Sequence, residues 1–455
     1  MEIRTASSRR KYRLMLTVRI VSSTIKKHIR MKKITLTVCR KVLLVAACYL
    51  AAVSCSKDDG DTPGKGEEIP GVVTTTLQTS QYEVLTIEAP VEIKSGTTYQ
   101  WKVDATNTQA YNLVQVATNK VEFVAITDGS YKLTLLKENS TTPIYEASIT
   151  VKAKTASPYI AKIFDFLPTV GQFTNVLPDY KEGDTKESIL KKVYDYIGGE
   201  NKKKYMISLG GFGGYVTFGF DHTIVNLSGL RDFRILGNAF YANANPNPNA
   251  PQKGGSCEPG VIMVAYDKNK NGKPDDDEWY EIAGSEYNNP KTIHNYEITY
   301  YKPDPSKPAK PDGGFMSDTE YIRWTDNQGN SGYKSKNTFH TQSYFPNWVK
   351  EDKITFKGTL LPNNSKEESG QGKYWVLYAF DFGYVDNIRN EEDDSAIDID
   401  WAVDANGKKV HLPGVDFIKV YTGLNQECGW LGESSTEIMG AYDLHLLNEK
   451  ITTRK

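Results

Sequence analysis

The sequence predicts a mainly β protein, with a small Ig-like sandwich followed by a larger jelly-roll-like β-sandwich that carries one amphipathic helix. Three observations predict it. Short runs of alternating apolar and polar residues recur along most of the chain. Turn formers separate them: 36 Gly and 20 Pro stand among 455 residues, and Tyr, which favours strands, occurs 28 times. Only one stretch has convincing helical periodicity.

The N-terminal residues 1–54 read as a targeting segment. Met31-Lys-Lys33 opens a short basic region, and Leu43 to Val53 is apolar but too short to span a bilayer comfortably. Ala52-Val53-Ser54-Cys55 sets small residues before a cysteine and resembles a bacterial lipoprotein signal, with Leu50 further back than the commonest pattern. Cleavage there would leave Cys55 as the lipid-bearing N-terminus, and residues 1–30 read as an upstream extension. The alternatives are an ordinary secretory signal or a membrane anchor. Ser56 to Asp61 is acidic and resembles the surface-export signal of Bacteroidota lipoproteins. Residues 55–71, rich in Gly, Pro and charge, are expected to be a flexible tether. The implied location is the outer membrane, lipid-anchored and exposed on the cell surface.

Residues 1–54 hold 13 of the 55 basic residues and one of the 56 acidic ones, which leaves 42 against 55, a net charge of −13. That balance argues against a nucleic-acid partner, because phosphate binding needs basic patches. No later apolar stretch is long enough to cross a membrane, so the expected membrane contact is through the lipid alone. Cys39 and Cys48 leave with the signal. Cys257 and Cys428 remain, either as a disulfide or as two buried thiols; geometry decides which.

Residues 72–152 carry six alternating runs: Tyr82–Ile87, Tyr99–Val103, Tyr111–Val116, Val121–Ile126, Tyr131–Leu136 and Tyr145–Val151. Their spacing predicts an Ig-like sandwich with Trp101 as its core aromatic. The Tyr99-x-Trp101 strand followed by Gly129-Ser-Tyr131-x-Leu-x-Leu resembles the PKD-like domains of bacterial surface proteins. Such a domain is expected to act as a spacer.

Lys154 to Pro158 marks a boundary, and 159–449 form the second domain. Asp184-Thr-Lys-Glu187 opens the helix, with Asp184 expected to cap it and Glu187 to reach back. Ile189, Leu190, Val193, Tyr196 and Ile197 share one face, and Gly198-Gly199 ends it. Gly210 to Gly214 superficially suggests a phosphate loop, but strand residues follow where a helix should begin.

The loop Asp267 to Glu278 fits the twelve-residue calcium pattern: Asp267, Asn269 and Asn271 at positions one, three and five, Gly272 at six, the Lys273 carbonyl at seven, Asp275 at nine and Glu278 at twelve. Ca²⁺ wants six to eight hard oxygens, and alternate residues of a curled loop can aim them at one centre. Val261–Tyr266 and Trp279–Ile282 flank it as strands, so a calcium-clipped hairpin with a structural Ca²⁺ is expected. The alternative is a solvated acidic turn. The run Asp275–Glu278 leaves the register of the last ligand open by one residue. Asp404-Ala-Asn-Gly407 predicts a further hairpin turn.

Several phrases carry a family resemblance: Gly210–Tyr215, Phe218–His222, Leu236–Phe240, Glu258-Pro-Gly260, Asp275–Tyr280, Trp324–Gly332, Asp400–Asp404 and Cys428–Glu433. Together they resemble a family of Bacteroidota cell-surface lipoproteins that join a PKD-like domain to a calcium-loop β-domain. The resemblance implies an association with TonB-dependent outer-membrane receptors, cobalamin uptake systems among them. It implies a ligand-capture role, not an activity.

An enzyme is not expected. The histidines show no metal-ligand spacing and no Gly-x-Ser-x-Gly elbow occurs. Glu258 and Glu433 would be the best candidates for a glycan-active carboxylate pair, which needs a separation no sequence can display. Trp324, Tyr333, Tyr344, Phe345 and Trp348 lie among Asn, Asp, Gln and Ser, and Trp430 lies between glycines. Trp324, Tyr344, Trp348 and Trp430 are therefore the candidate faces for a sugar ring or a corrin. A purely structural or adhesive surface protein is the third class.

Overall fold

The structure, a computed structural model, describes residues 71–105 and 109–453. The signal segment, Cys55 and all but the last residue of the tether lie outside them. No helix among the described residues is long and apolar enough to cross a membrane.

The first seven strands are β1 (Val73–Ser80), β2 (Leu85–Glu88), β3 (Tyr99–Asp104), β4 (Tyr111–Ala117), β5 (Lys120–Ala125), β6 (Gly129–Lys137) and β7 (Pro143–Lys152). They form two sheets, ordered β1-β7-β6-β3 and β2-β5-β4. The pairing β1–β7 is parallel and the others are antiparallel. Alternation decides the inner faces: Tyr145, Ala147, Ile149 and Val151 of β7 point inward while Ser148, Thr150 and Lys152 are exposed. Trp101 is buried edge-on against Tyr145, and its Nε1 donates to the Thr118 carbonyl at 3.1 Å. The Thr-rich β1 has too little apolar alternation to be read from sequence.

The larger domain continues with β8 (Lys162–Leu167), the helix α1 (Lys186–Ile197), β9 (Ile207–Ser208), β10 (Tyr215–Val225), β11 (Phe233–Leu236), β12 (Phe240–Tyr241), β13 (Gly254–Ser256), β14 (Gly260–Ala265) and β15 (Trp279–Ile282). Then come β16 (Ile293–Tyr301), β17 (Met316–Asp326), β18 (Ser331–Asn337), β19 (Lys353–Leu360), β20 (Ser365–Glu367), β21 (Trp375–Tyr378), β22 (Ala396–Ile397), β23 (Ala402–Val403), β24 (Gly414–Thr422), β25 (Glu437–Ile438) and β26 (Gly440–Asp443). Its central sheet is β23-β15-β14-β24-β10-β8, antiparallel throughout, and a second sheet is β18-β17-β16-β19.

Residue parity sorts the two faces of the central sheet. Val216, Phe218, Ile262, Val264, Ile282, Ile418 and Val420 make one core with Ile189, Val193 and Ile197 of α1. The odd-numbered face, with Tyr215, Met263, Glu281, Lys419 and Tyr421, turns away from it. A separate core, including Phe212, Tyr296, Ile298, Tyr300 and Phe356, fills the inner side of the second sheet.

The helix begins one residue later than the sequence reading places it. Thr185 is the N-cap and Ser188 completes the capping box. Asp184 instead accepts from the Lys181 N–H and the Lys192 ammonium. Its carboxyl falls to about 2, chiefly through that lysine. Trp324 and Tyr333 sit on the paired strands β17 and β18, not on loops.

The two sandwiches meet through side chains of both. Tyr82, Val84 and Val124 of the first pack with Val225, Leu227, Leu230 and Tyr266 of the second. The Asn112 amide donates to the Leu412 carbonyl at 3.1 Å.

Candidate functional site

One cavity, of about 540 Å³, gathers residues from opposite ends of the larger domain. Glu258 enters from the turn between β13 and β14, Glu437 from β25, and Glu433 from the chain after the 3-10 turn Gly429–Leu431. Each carboxylate is locally tied. Glu258 accepts from the Ser435 N–H (2.9 Å) and the Ser256 hydroxyl (3.0 Å). Glu437 accepts from the Ser435 hydroxyl (2.7 Å), while its own N–H donates to Asp386 (2.9 Å). Glu433 accepts from the Gln172 N–H (2.6 Å). That approach requires Gly171, where a Cβ would stand 2.6 Å from the Glu433 Oε1.

Glu258, Asp386 and Glu437 form a triad whose oxygens lie within 4.8 Å of one another. Two charges at that distance repel by about 3 kcal/mol at an effective dielectric near 20. Three ionised carboxylates are therefore unfavourable together, and the triad retains protons or takes a counter-cation. Burial pushes Glu258 up to about 7. Burial, and then the neighbouring carboxylates, hold Asp386 and Glu437 well above the usual range. Burial also raises Glu433 to about 8. At neutral pH the floor of the cavity thus offers carboxylic acid donors as well as acceptors.

The rim is aromatic. Phe339 and Phe315 are 57% and 54% exposed, and both pack with Trp430 at 6.5 and 6.4 Å between ring centroids. Trp430 is fixed by donating Nε1 to the Lys373 carbonyl (3.2 Å). His340 adds a further ring, edge-on to Phe173 at 4.8 Å. No protein-family profile and no curated protein matches the chain.

The structure brings Glu258, Glu433, Cys428 and Trp430 to this cavity, four residues the sequence singles out. It removes others. Tyr344 and Phe345 are each 2% exposed and belong to the core beneath the second sheet, where Tyr321 meets Tyr344 edge-on at 5.6 Å. Trp348 stacks between Phe166 and Tyr180. Trp324 lies over Gly332, where a Cβ would stand 2.9 Å from its ring. These three candidate faces, Trp324, Tyr344 and Trp348, pack against that core. Cys257 and Cys428 are both free, buried thiols, not a disulfide. Burial, with Asp386 and Glu258 nearby, pushes the Cys257 thiol up to about 12. Sequence reasoning missed Asp386, Glu437, Gln172 and Phe339, which lie in stretches with no chemical pattern of their own.

The calcium-pattern loop joins β14 to β15 in a hairpin, as its flanks predict. The Asn269 and Asn271 amides both reach Asp275 Oδ2 at 2.6 Å, so three of the predicted ligands meet at one point. Asp267 accepts from the Asn271 and Gly272 N–H groups at 3.0 and 2.8 Å. Gly272 has φ +71°, the left-handed turn the pattern reserves for it. Glu278 is buried and accepts from Lys268 N–H (2.9 Å), whereas Asp276 and Asp277 are exposed. Of the run Asp275–Glu278, Glu278 is the buried carboxylate. The residue types suit a hard divalent cation, but here the loop closes on itself: the Asn269 and Asn271 amide nitrogens face Asp275, and their Oδ1 atoms accept from the Asn271 and Lys273 N–H groups at 3.0 and 2.7 Å. The loop also touches the first sandwich, where Lys270 Nζ donates to the Val84 carbonyl at 3.0 Å.

Proposed function

We propose that this chain is a surface-anchored lipoprotein that captures a small ligand in the Glu258–Glu433 cavity and passes it to an outer-membrane TonB-dependent importer. The observation that carries the capture reading is the exposed Phe339 and half-buried Trp430, which line an acid-lined cavity with the exposed Phe315 packed beside them. Exposed large aromatics cost hydration free energy unless a partner covers them. Flat apolar faces beside carboxyl, amide and hydroxyl groups suit a sugar ring or a corrin with its amide fringe. The importer and the lipid anchor rest on the sequence resemblance alone.

Ca²⁺ in the Asp267–Glu278 loop is the accompanying structural proposal. Asp267, Asn269, Asn271, the Lys273 carbonyl, Asp275 and Glu278 would hold it, and it would stiffen a bend adjoining both sandwiches.

Calorimetry with cobalamin and with a glycan panel, together with pull-down of the receptor, tests the reading. Binding of cobalamin, or of at least one glycan of the panel, that is abolished in Trp430→Ala is expected. Absence of binding to both would favour a structural or adhesive protein. Hydrolysis of a glycan, lost in Glu433→Gln, would replace capture with catalysis, for which the buried and protonated Glu433 would be the acid.

A further inference from the structure

We infer a second ligand site, separate from the Glu258–Glu433 cavity: the cleft of about 850 Å³ between the odd-numbered face of the central sheet and strand β19, with a neutral oligosaccharide as its ligand class. The floor is built by register. Lys419, Met263 and Glu281 stand opposite one another across β24, β14 and β15, so all three side chains rise from one face. Neighbouring strands lie about 4.8 Å apart, which sets Lys419 and Glu281 about 10 Å apart across the sheet, with Met263 between them. That span suits two hydroxyl contacts to one or two sugar rings.

Neither polar group is consumed within the fold. Lys419 has no ion-pair partner among the described residues, and its Nζ lies 4.1 Å over the Tyr215 ring. Burial lowers its affinity for protons, against the distant Asp165 and Asp276. Glu281 accepts one hydrogen bond, from the Thr359 hydroxyl at 2.7 Å, and burial pushes it up to about 7. A half-buried cation and a half-buried carboxyl across an apolar strip are a mixed donor and acceptor pair. Such a pair discriminates against strongly charged ligands of either sign and favours hydroxyls.

The walls supply stacking faces. Trp279 lies on the Glu281 strand, and Tyr287 packs against His294 with ring centroids 4.5 Å apart. β19 is an edge strand, paired with β16 alone among the described residues, and Thr355 to Thr359 line the cleft, where the Tyr421 hydroxyl holds the Thr359 N–H at 2.8 Å. Met263 and Tyr215 keep the base apolar. The lining is as polar as it is apolar, with Asn288, Asn295, Thr355, Asp404 and Asn406 beside the rings, a mixture that suits a hydroxyl-rich sugar, and the volume is within the usual range for a ligand cleft.

The test is isothermal calorimetry of the purified protein with cellohexaose, mannohexaose and xylohexaose. Binding to at least one is expected. Trp279→Ala and Lys419→Met should each weaken it about tenfold or more, and Glu281→Gln by less, since the amide keeps both hydrogen-bonding roles. Trp430→Ala should leave this affinity unchanged, which separates the cleft from the capture cavity. Melting curves exclude misfolding, and Lys419→Met preserves the stem over Tyr215. No binding to any of the three, or binding that Trp430→Ala abolishes and Trp279→Ala spares, would overturn the assignment. Tighter binding of a fully sulfated oligosaccharide would overturn the neutral class.

Discussion

Substitution of Glu278 by Ala separates a calcium clip from an acidic turn. Glu278 is 2% exposed and accepts from Lys268 N–H at 2.9 Å and from Asp275 N–H at 3.3 Å. Hydrogen bonds to a charged acceptor contribute about 1.5–3 kcal/mol each, and the longer one less. The variant should therefore lose roughly 2–4 kcal/mol whether or not a cation binds. The cation adds a separate term. Extracellular calcium modules have Kd values of about 0.1–1 mM, so 10 mM Ca²⁺ would stabilise the native loop by about 1.4–2.7 kcal/mol. For a domain of 150–250 residues one kcal/mol shifts Tm by about 2–4 °C, which gives roughly 3–11 °C here and somewhat less for a larger body. The assay is differential scanning fluorimetry in 10 mM CaCl₂ and in EDTA. The native protein should fall by that amount on chelation. Glu278→Ala should melt lower in both buffers and respond to neither. Limited proteolysis should show the same pattern near Lys270, whose ammonium bonds the Val84 carbonyl of the first sandwich. If EDTA leaves the native Tm and cleavage unchanged while the variant still melts low, the loop is an acidic turn and the calcium proposal fails.

Three further outcomes are expected. Glu258, Asp386 and Glu437 titrate above their unfolded values, so the folded state holds protons that the unfolded state has released from about pH 4 upward. Their stabilisation is complete below the unfolded values and is lost as pH rises through the folded ones, near 7 for Glu258. Tm should decline between pH 5 and 8, and Glu437→Gln should flatten that decline; an unchanged slope would refute the triad's role. Phe345→Ala should cost about 3–5 kcal/mol in denaturant melts, as for a buried aromatic, whereas Trp430→Ala should cost under about 1 kcal/mol and act on ligand binding. A protein beginning at residue 56 should show no thiol reactive with Ellman's reagent when native and two in guanidinium; loss of both on unfolding would indicate a disulfide.

The β class and the repeating strands of residues 72–152 were legible because period-two alternation is a local property. Tyr145, Ala147, Ile149 and Val151 announce an inner face before any partner is known. The hairpin of β14 and β15 was legible for the same reason, together with its loop pattern. The helix start was misplaced by one residue because Asp184 and Thr185 are both competent caps, and only backbone geometry chooses between them.

The candidate cavity was half legible. Glu258, Glu433 and Trp430 stand out beside glycines and cysteines, but Asp386 and Glu437 reach the triad from segments separated from Glu258 by more than a hundred residues. Their meeting is a long-range consequence of sheet order, which alternation does not encode. Burial of Tyr344, Phe345 and Trp348 was hidden in the same way: polar neighbours in sequence are not neighbours in space. What the chain determined alone was where strands and turns fall, since both follow from contacts a few residues apart. What the tertiary structure decided was which carboxylates share a cavity, which rings face water and that Cys257 and Cys428 stay unpaired, since those depend on how distant strands stack.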